Sequence, residues 1–376
     1  MRPSSSSSDD VFAGVLSRGG VAEQVSGTAW LLALLEFEAA LARAQAHAGA
    51  ITVEQANEIA TVCRLEHFDV GQIAAGSAEI GNPAGPVVAR LKTLTDAPVH
   101  KGATSQDAVD TAAMIVTKRA LVPLLHDLRQ AAAAAAALAQ THRDTPIMGR
   151  TLLQHAVPTT FGLKAAGWMS SLDEAADALV RLPLAVQLGG PVGTLAGVAD
   201  TPQDALAVLT HLARDLGLDA PHLPWHTLRG RIGELAGALG VAAGAIGKVA
   251  RDITLLAQTE VAEVREARGG GSTSMPHKHN PVAAISALGC AQQAPALVAT
   301  LLAAMVQEHE RAAGAWHSEW RPFTTLLTTT GSAASWLRES LEGLEVDADR
   351  MRTNLGDAEP DTGAAALLTD RALENR

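Results

Sequence analysis

The sequence predicts an all-α protein built around a bundle of long helices, and three observations predict it. Hydrophobic residues make up 47% of the 376 residues, but aromatic residues only 3%, with no Tyr. An Ala/Leu/Val-rich interior of this kind suits close-packed helices. Apolar residues recur at helical spacing over several long segments, and nothing alternates with period two over a useful length. From Leu228 to Ala267 the helical pattern runs for about ten turns without a proline.

Taken in order, residues 9 to about 100 read as short helices. Among them WLLALLEFEAALARAQAHAG (30–49) has a broad apolar face and ends at Gly49. A long, strongly apolar helix is expected from Asp107 to about His142, including AAAAAAALA at 131–139; Pro146 and Gly149 punctuate it. A third runs from about Thr159 to Val180. Pro183 to Pro224 holds loops, a helix and a glycine patch, QLGGPVGTLAG (187–197). After the Leu228–Ala267 helix a loop, Gly269–Pro281, interrupts the pattern; helix resumes over Val282–Gln307 and Thr325–Leu344. The expected divisions are a disordered Ser-rich tail (1–11), an N-terminal helical domain (12–106), a central bundle domain (107–348) and a C-terminal part (349–376).

The formal charge is −11 and no basic run occurs, so nucleic acid is not an expected partner. Only 18% of residues are charged, so much of the Ala/Leu helical surface is expected to be covered by other copies of the chain. Cys63 and Cys290 make neither a disulfide framework nor a zinc site and fit a reducing cytoplasm. The N-terminus lacks an apolar signal core, and no uncharged apolar run is expected to reach the roughly 18 residues of a membrane span.

The chemistry concentrates in GGGSTSMPHKHNP (269–281). Three glycines permit positive φ and motion, as a lid needs. Ser272, Thr273 and Ser274 supply hydroxyls. Lys278 supplies a point charge suited to a carboxylate, and Asn280 donates and accepts. Pro276 and Pro281 stiffen the part carrying them. Without those last residues the loop would read equally well as a linker.

GSTSMPHKHNP resembles the signature loop of the fumarase/aspartase superfamily, Gly-Ser-Ser-x-Met-Pro-x-Lys-x-Asn-Pro, with Thr273 in place of the second Ser. HKGATSQDAVDTA (100–112) resembles the family's first region, His-x-Gly-x-Thr-Ser-x-Asp, and GRTLLQHAVPTTFGLKAAGW (149–168) its second, usually Thr-His-x-Gln. The likeness spans roughly residues 12 to 355. It implies a fumarase/aspartase-like all-α fold, a cytoplasmic homotetramer, and active sites whose three regions come from three subunits. It also implies that a further helical domain follows in relatives, so that 349–376 is a truncated C-terminal domain.

Leu152 sits where most members carry the histidine of Thr-His-x-Gln, which protonates the leaving group or activates the incoming one. Amines and hydroxide need such help; a carboxylate nucleophile, already anionic, does not. The resemblance is therefore to a cycloisomerase branch, in which a carboxylate adds within the same molecule to a double bond. LLEFEAALARA (34–44), LPWHTLRGRI (223–232), GKVARDITLLAQTEVAEV (247–264) and QEHERAAGAWHSEW (307–320) also resemble that branch.

By that resemblance Ser272 transfers the proton, with His155 as a substitute acid; His100, Thr104, Ser105, Gln154, Arg229, Arg231, Lys278 and Asn280 bind a small polycarboxylate. Arg150 and Lys101 could add charge. No cofactor and no metal are implied. His226 could touch substrate or be structural. EHER and WHSEW read as ion-pair networks between subunits rather than metal ligands. QLGGPVG reads as a tight turn near the site. Two alternatives stay open: a β-elimination lyase on a succinate-type substrate (expelling nitrite, or adenylosuccinate-like), and an inactive structural paralogue.

Overall fold

The structure is a computed structural model and describes residues 10–271, 275, 278–359 and 361–376. The Ser-rich stretch before residue 10, together with Ser272, Thr273, Ser274, Pro276 and His277, lies outside the described residues.

The N-terminal part is a set of helices: α1 (Ala13–Leu16), α2 (Val21–Gln24), α3 (Gly27–His47), α4 (Val53–Val62), α5 (Val70–Ile80) and α6 (Ala84–Leu91). α3 begins where Ser26 accepts a hydrogen bond from the Ala29 N–H. It ends at Ala48, followed by Gly49 at φ +74°. The bundle follows with α7 (Ser105–Thr141), a hairpin of β1 (Pro146–Thr151) and β2 (Gln154–Thr160), α8 (Phe161–Val180), α9 (Pro202–Leu216) and α10 (Gly230–Leu256). Then come β3 (Val264–Glu266), α11 (Val282–Ala291), α12 (Ala294–Ala303), α13 (Ala315–Glu342), β4 (Leu344–Val346), α14 (Ala348–Leu355) and α15 (Ala365–Glu374).

α7 is 37 residues long, about 55 Å. Its buried alanines (Ala131, Ala132, Ala135, Ala136, Ala139) let α8 fold back closely: a Cβ on Gly162 would lie 2.8 Å from the Ala139 carbonyl. α13 runs beside α7 in the same direction, since Trp316 donates to Asp110 near both N-termini and Arg338 to Asp127 further along. α10 runs the same way, from Arg229 on Asp110 to Asp252, which accepts from the buried Trp168 indole of α8.

Four boundaries differ from the sequence reading. The Leu228–Ala267 helix stops at Leu256; the chain turns and forms β3 against β4. Val282–Gln307 splits into α11 and α12 at Gln292–Gln293, just before Pro295. α13 starts at Ala315 rather than Thr325, because the helix accommodates Pro322. The β1–β2 hairpin was not foreseen. Contrary to the expectation from sequence, residues 282–303 form an uncharged 22-residue run; by length and composition this run and α10 could each cross a membrane. Here both pack in the bundle, with 56% of the most apolar stretch of α10 buried.

Candidate active site

The first region is a strained turn clamped from three sides. His100 sits at φ +61° and Gly102 at φ +71°. A Cβ on Gly102 would lie 2.3 Å from the backbone of Gly197 and Val198, so the glycine patch packs directly onto this turn. Asp107, fully buried, holds the two together. It accepts from the N–H groups of Gly189 (3.0 Å), Gly190 (2.9 Å) and Thr104 (2.9 Å), and faces His226 Nε2 at 2.7 Å. His226 is thus held in the framework, and QLGGPVG is a turn beside the site. Thr104 and Ser105, half-buried, open α7, where free N–H groups and the helix dipole favour an anion. Lys101 Nζ donates to the Ala50 carbonyl at 2.7 Å.

The second region is the hairpin tip. Leu152 (φ +52°) and Leu153 (φ +64°) form a two-residue turn with both centres left-handed, a geometry that usually selects Asn-Gly. Leu152 is 96% exposed, and Gln154 and His155 are exposed beside it. Behind the tip, Arg150 forms a bidentate pair with the buried Glu263 (2.8 and 2.9 Å), so its charge is already engaged.

The third region is the glycine loop, whose proton-transfer candidate Ser272 lies outside the described residues. Gly270 and Asn280 close the base through two backbone hydrogen bonds of 2.9 Å. A Cβ on Gly270 would fall 2.1 Å from Val282 Cγ2, so the closure requires glycine. Glu266 accepts from the Ala283 and Ala284 N–H groups and from Ser340, fixing the start of α11. Lys278 is exposed. A cavity of about 720 Å³ adjoins this base, but Glu266, Glu345, Asp347 and Asp349 line it. Four carboxylates make it a poor place for a polyanion.

Arg229 corrects the sequence reading. Its guanidinium is buried and donates to Asp110 (2.6 Å) and Glu319 (2.5 and 3.0 Å), over the Trp225 ring. Burial by itself would lower its pKa; the two carboxylates more than reverse this. Its charge is neutralised within the protomer, which is a framework role rather than substrate binding. The same pairs place Glu319, of WHSEW, in an ion-pair network inside one chain and not between subunits. Arg231 differs: it forms no ion pair among the described residues, and its Nε is sealed from solvent without an acceptor. Among the described residues no group of three or more His, Cys, Asp or Glu could hold a metal ion.

The candidate residues fall into two groups. His100, Thr104 and Ser105 lie at the start of α7, and Arg231 stands two residues beyond Arg229, which binds Asp110 of that helix. Gln154 and His155 follow its far end, about 55 Å away. Lys278 and Asn280 also lie towards that far end, because Glu266 at the loop base binds Ser340 near the end of α13. One protomer therefore does not unite the three regions. The sequence reading passes over Glu38, whose carboxylate meets His100. An acid inside the apolar LLEFEAAL was the available signal.

The family model described as "Lyase" matches residues 19–295. The 3-carboxy-cis,cis-muconate cycloisomerase of Bradyrhizobium diazoefficiens is 46% identical over 358 residues, covering 92% of this chain and 79% of the relative. The nitrosuccinate lyase of Streptomyces davaonensis is 45% identical over 366 residues, covering 92% and 77%. Among solved structures, the 3-carboxy-cis,cis-muconate lactonizing enzyme from Pseudomonas putida superposes with a TM-score of 0.87 at 38% identity, covering 97% of this chain and 87% of that one.

Proposed function

The chain belongs to the fumarase/aspartase superfamily of lyases, and from that premise we propose that it interconverts 3-carboxy-cis,cis-muconate and 4-carboxymuconolactone. The observation that carries this reading is Leu152. The hairpin tip presents an aliphatic side chain, 96% exposed, where amine- and hydroxide-expelling members present an imidazole. Ring closure by a carboxylate needs no proton at the attacking atom.

In this reading one carboxylate of the substrate attacks the double bond. Negative charge develops on a neighbouring carboxyl as an aci-carboxylate, and donors already in place stabilise it. The α7 N-terminus, with Thr104 and Ser105, binds one carboxylate; Lys278, Asn280 and Arg231 bind the others, with Gln154 alongside. Ser272 delivers the proton to carbon. His155, on the exposed hairpin, is the group nearest in sequence to the vacated histidine position and supports a secondary acid role. The site is shared between copies in a cytoplasmic homotetramer that uses no cofactor. The separation of the regions along α7 and the low share of charged residues support that assembly.

A second reading has its own support. The nitrosuccinate lyase relative is almost as similar, and expulsion of nitrite, a weakly basic anion, also needs no acid at position 152. The purified protein should bleach the diene absorbance of 3-carboxy-cis,cis-muconate, with Ser272→Ala slower by at least about a hundredfold. Turnover of nitrosuccinate with an unbleached diene would establish the second reading instead.

A further inference from the structure

Two buried polar side chains on α3 have no part in the chemistry above. Glu38 and Gln45 are seven residues apart, so they share one face of the helix, and they are 2% and 1% exposed. Both reach the turn before α7. Gln45 Nε2 donates to the carbonyls of Lys101 (2.8 Å) and Val198 (2.9 Å). Glu38 Oε1 lies 2.6 Å from His100 Nδ1. Glu38 Oε2 is sealed from solvent and has no partner among the described residues. Such an atom is a buried acceptor without its hydrogen bond, which disfavours folding, more so when charged. A helix needing only packing here would be better served by an apolar residue.

His100 is itself unusual. Its left-handed backbone is strained, and such strain persists where the surroundings enforce it and clusters at functional sites. The ring packs edge-on against Phe37, at 6.5 Å between centroids. With Nδ1 on the carboxylate, Nε2 makes no hydrogen bond among the described residues and is not sealed from solvent. Four residues further on, Thr104 and Ser105 open the anion-favouring end of α7.

We propose that Glu38 is a positioning residue: its buried carboxylate fixes His100 so that Nε2–H is presented, as a charged donor, to the substrate carboxylate bound at the start of α7. This rests on the polycarboxylate reading above. The charged groups around the imidazole are Glu38 on α3, Asp107 on α7 and Lys92 after α6. Burial pulls the His100 pKa down, but Glu38 and Asp107 outweigh burial and Lys92, and it stands above its ordinary value. A cation held there strengthens its hydrogen bond as the aci-carboxylate gains charge.

The test is the pH profile, from about pH 6 to 9, of kcat/KM on whichever of the two substrates is turned over. Tricarballylate affinity is measured by calorimetry over the same range. Wild-type kcat/KM should fall as pH rises through a His100 pKa lying above its ordinary value. Glu38→Gln keeps an acceptor but removes the charge. It should move that fall about one unit lower, a loss of about tenfold on the alkaline side with little change on the acid side. Glu38→Asp should move it back, and tricarballylate affinity should follow the same shifts. An alkaline limb identical in wild type and Glu38→Gln overturns the proposal. So does a uniform loss at every pH, equal in the Gln and Asp variants, which is the mark of a purely structural contact. If wild type turns over neither substrate, the functional reading fails by itself. Tricarballylate then decides: the displaced limb supports the role of Glu38, and its absence overturns it. If Glu38→Gln does not fold, His100→Gln takes its place; it should abolish the alkaline dependence, and a retained dependence overturns the proposal.

Discussion

Arg229 and Arg231 stand two positions apart, and the fold gives them opposite surroundings. Two residues are about 200° of helix rotation, so the two side chains leave opposite sides of the helix. Arg229 is locked between Asp110 and Glu319; Arg231 carries no ion pair among the described residues. Arg229→Ala strands two buried carboxylates and should destabilise the fold by about 3–5 kcal/mol, read by denaturant unfolding. Arg231→Ala should change stability by less than about 0.5 kcal/mol and raise KM for a polycarboxylate about tenfold, the loss of one charged hydrogen bond. An unchanged KM would remove Arg231 from the site. The pair shows what a sequence withholds at this scale. TLRGR names two cations, but not which one meets a buried acid 90 residues away. Asp107 shows the same limit: its place in HKGATSQD was legible, but its four-way hold on the glycine patch and His226 was not.

Among the elements, helices were legible where a long apolar run is rich in good helix formers, as over α3, α7 and α8. It failed where local backbone geometry decides. The hairpin tip uses Leu152 and Leu153 in left-handed conformations, which no turn propensity anticipates. The break between α11 and α12 carries only Gln292, Gln293 and Pro295 as signals within an apolar run. The glycine loop was legible from its composition, although among its three glycines only Gly270 meets a close neighbour where a Cβ would stand. At Gly270 the constraint is a methyl of Val282, 2.1 Å from where a Cβ would stand. Gly270→Ala should shift the loop base and reduce kcat, while the melting temperature changes little because the loop base lies outside the core. Gly270→Ala combined with Val282→Ala should recover much of the lost rate, since the two changes share one contact. A double variant as slow as Gly270→Ala alone would mean that the clash is not what holds the loop in register.

For the molecule as a whole, the length of α7 is the controlling fact. It puts the first region, at Thr104, about 55 Å from the helix end that leads into the Gln154 hairpin in every copy, and no loop motion in one chain closes that distance. If catalysis needs both regions, a site must combine residues from different copies, and this has a quantitative consequence. Thr104→Val chains keep an intact glycine loop, and Ser272→Ala chains keep an intact first region. Each variant alone should be inactive. Dissociated together in equal amounts and reassembled, the two should regain activity. A site drawing its first region from one copy and its loop from another finds both intact with a probability of about one quarter, so recovery should approach a quarter of the wild-type rate. Activity should appear only after reassembly, not on simple mixing of intact oligomers. A reassembled mixture that stays inactive, although native electrophoresis shows mixed oligomers, would mean that each site draws the first region and the loop from a single chain. The separation along α7 would then have to be overcome by a different fold of the loop, and the division of labour between copies would fail with it.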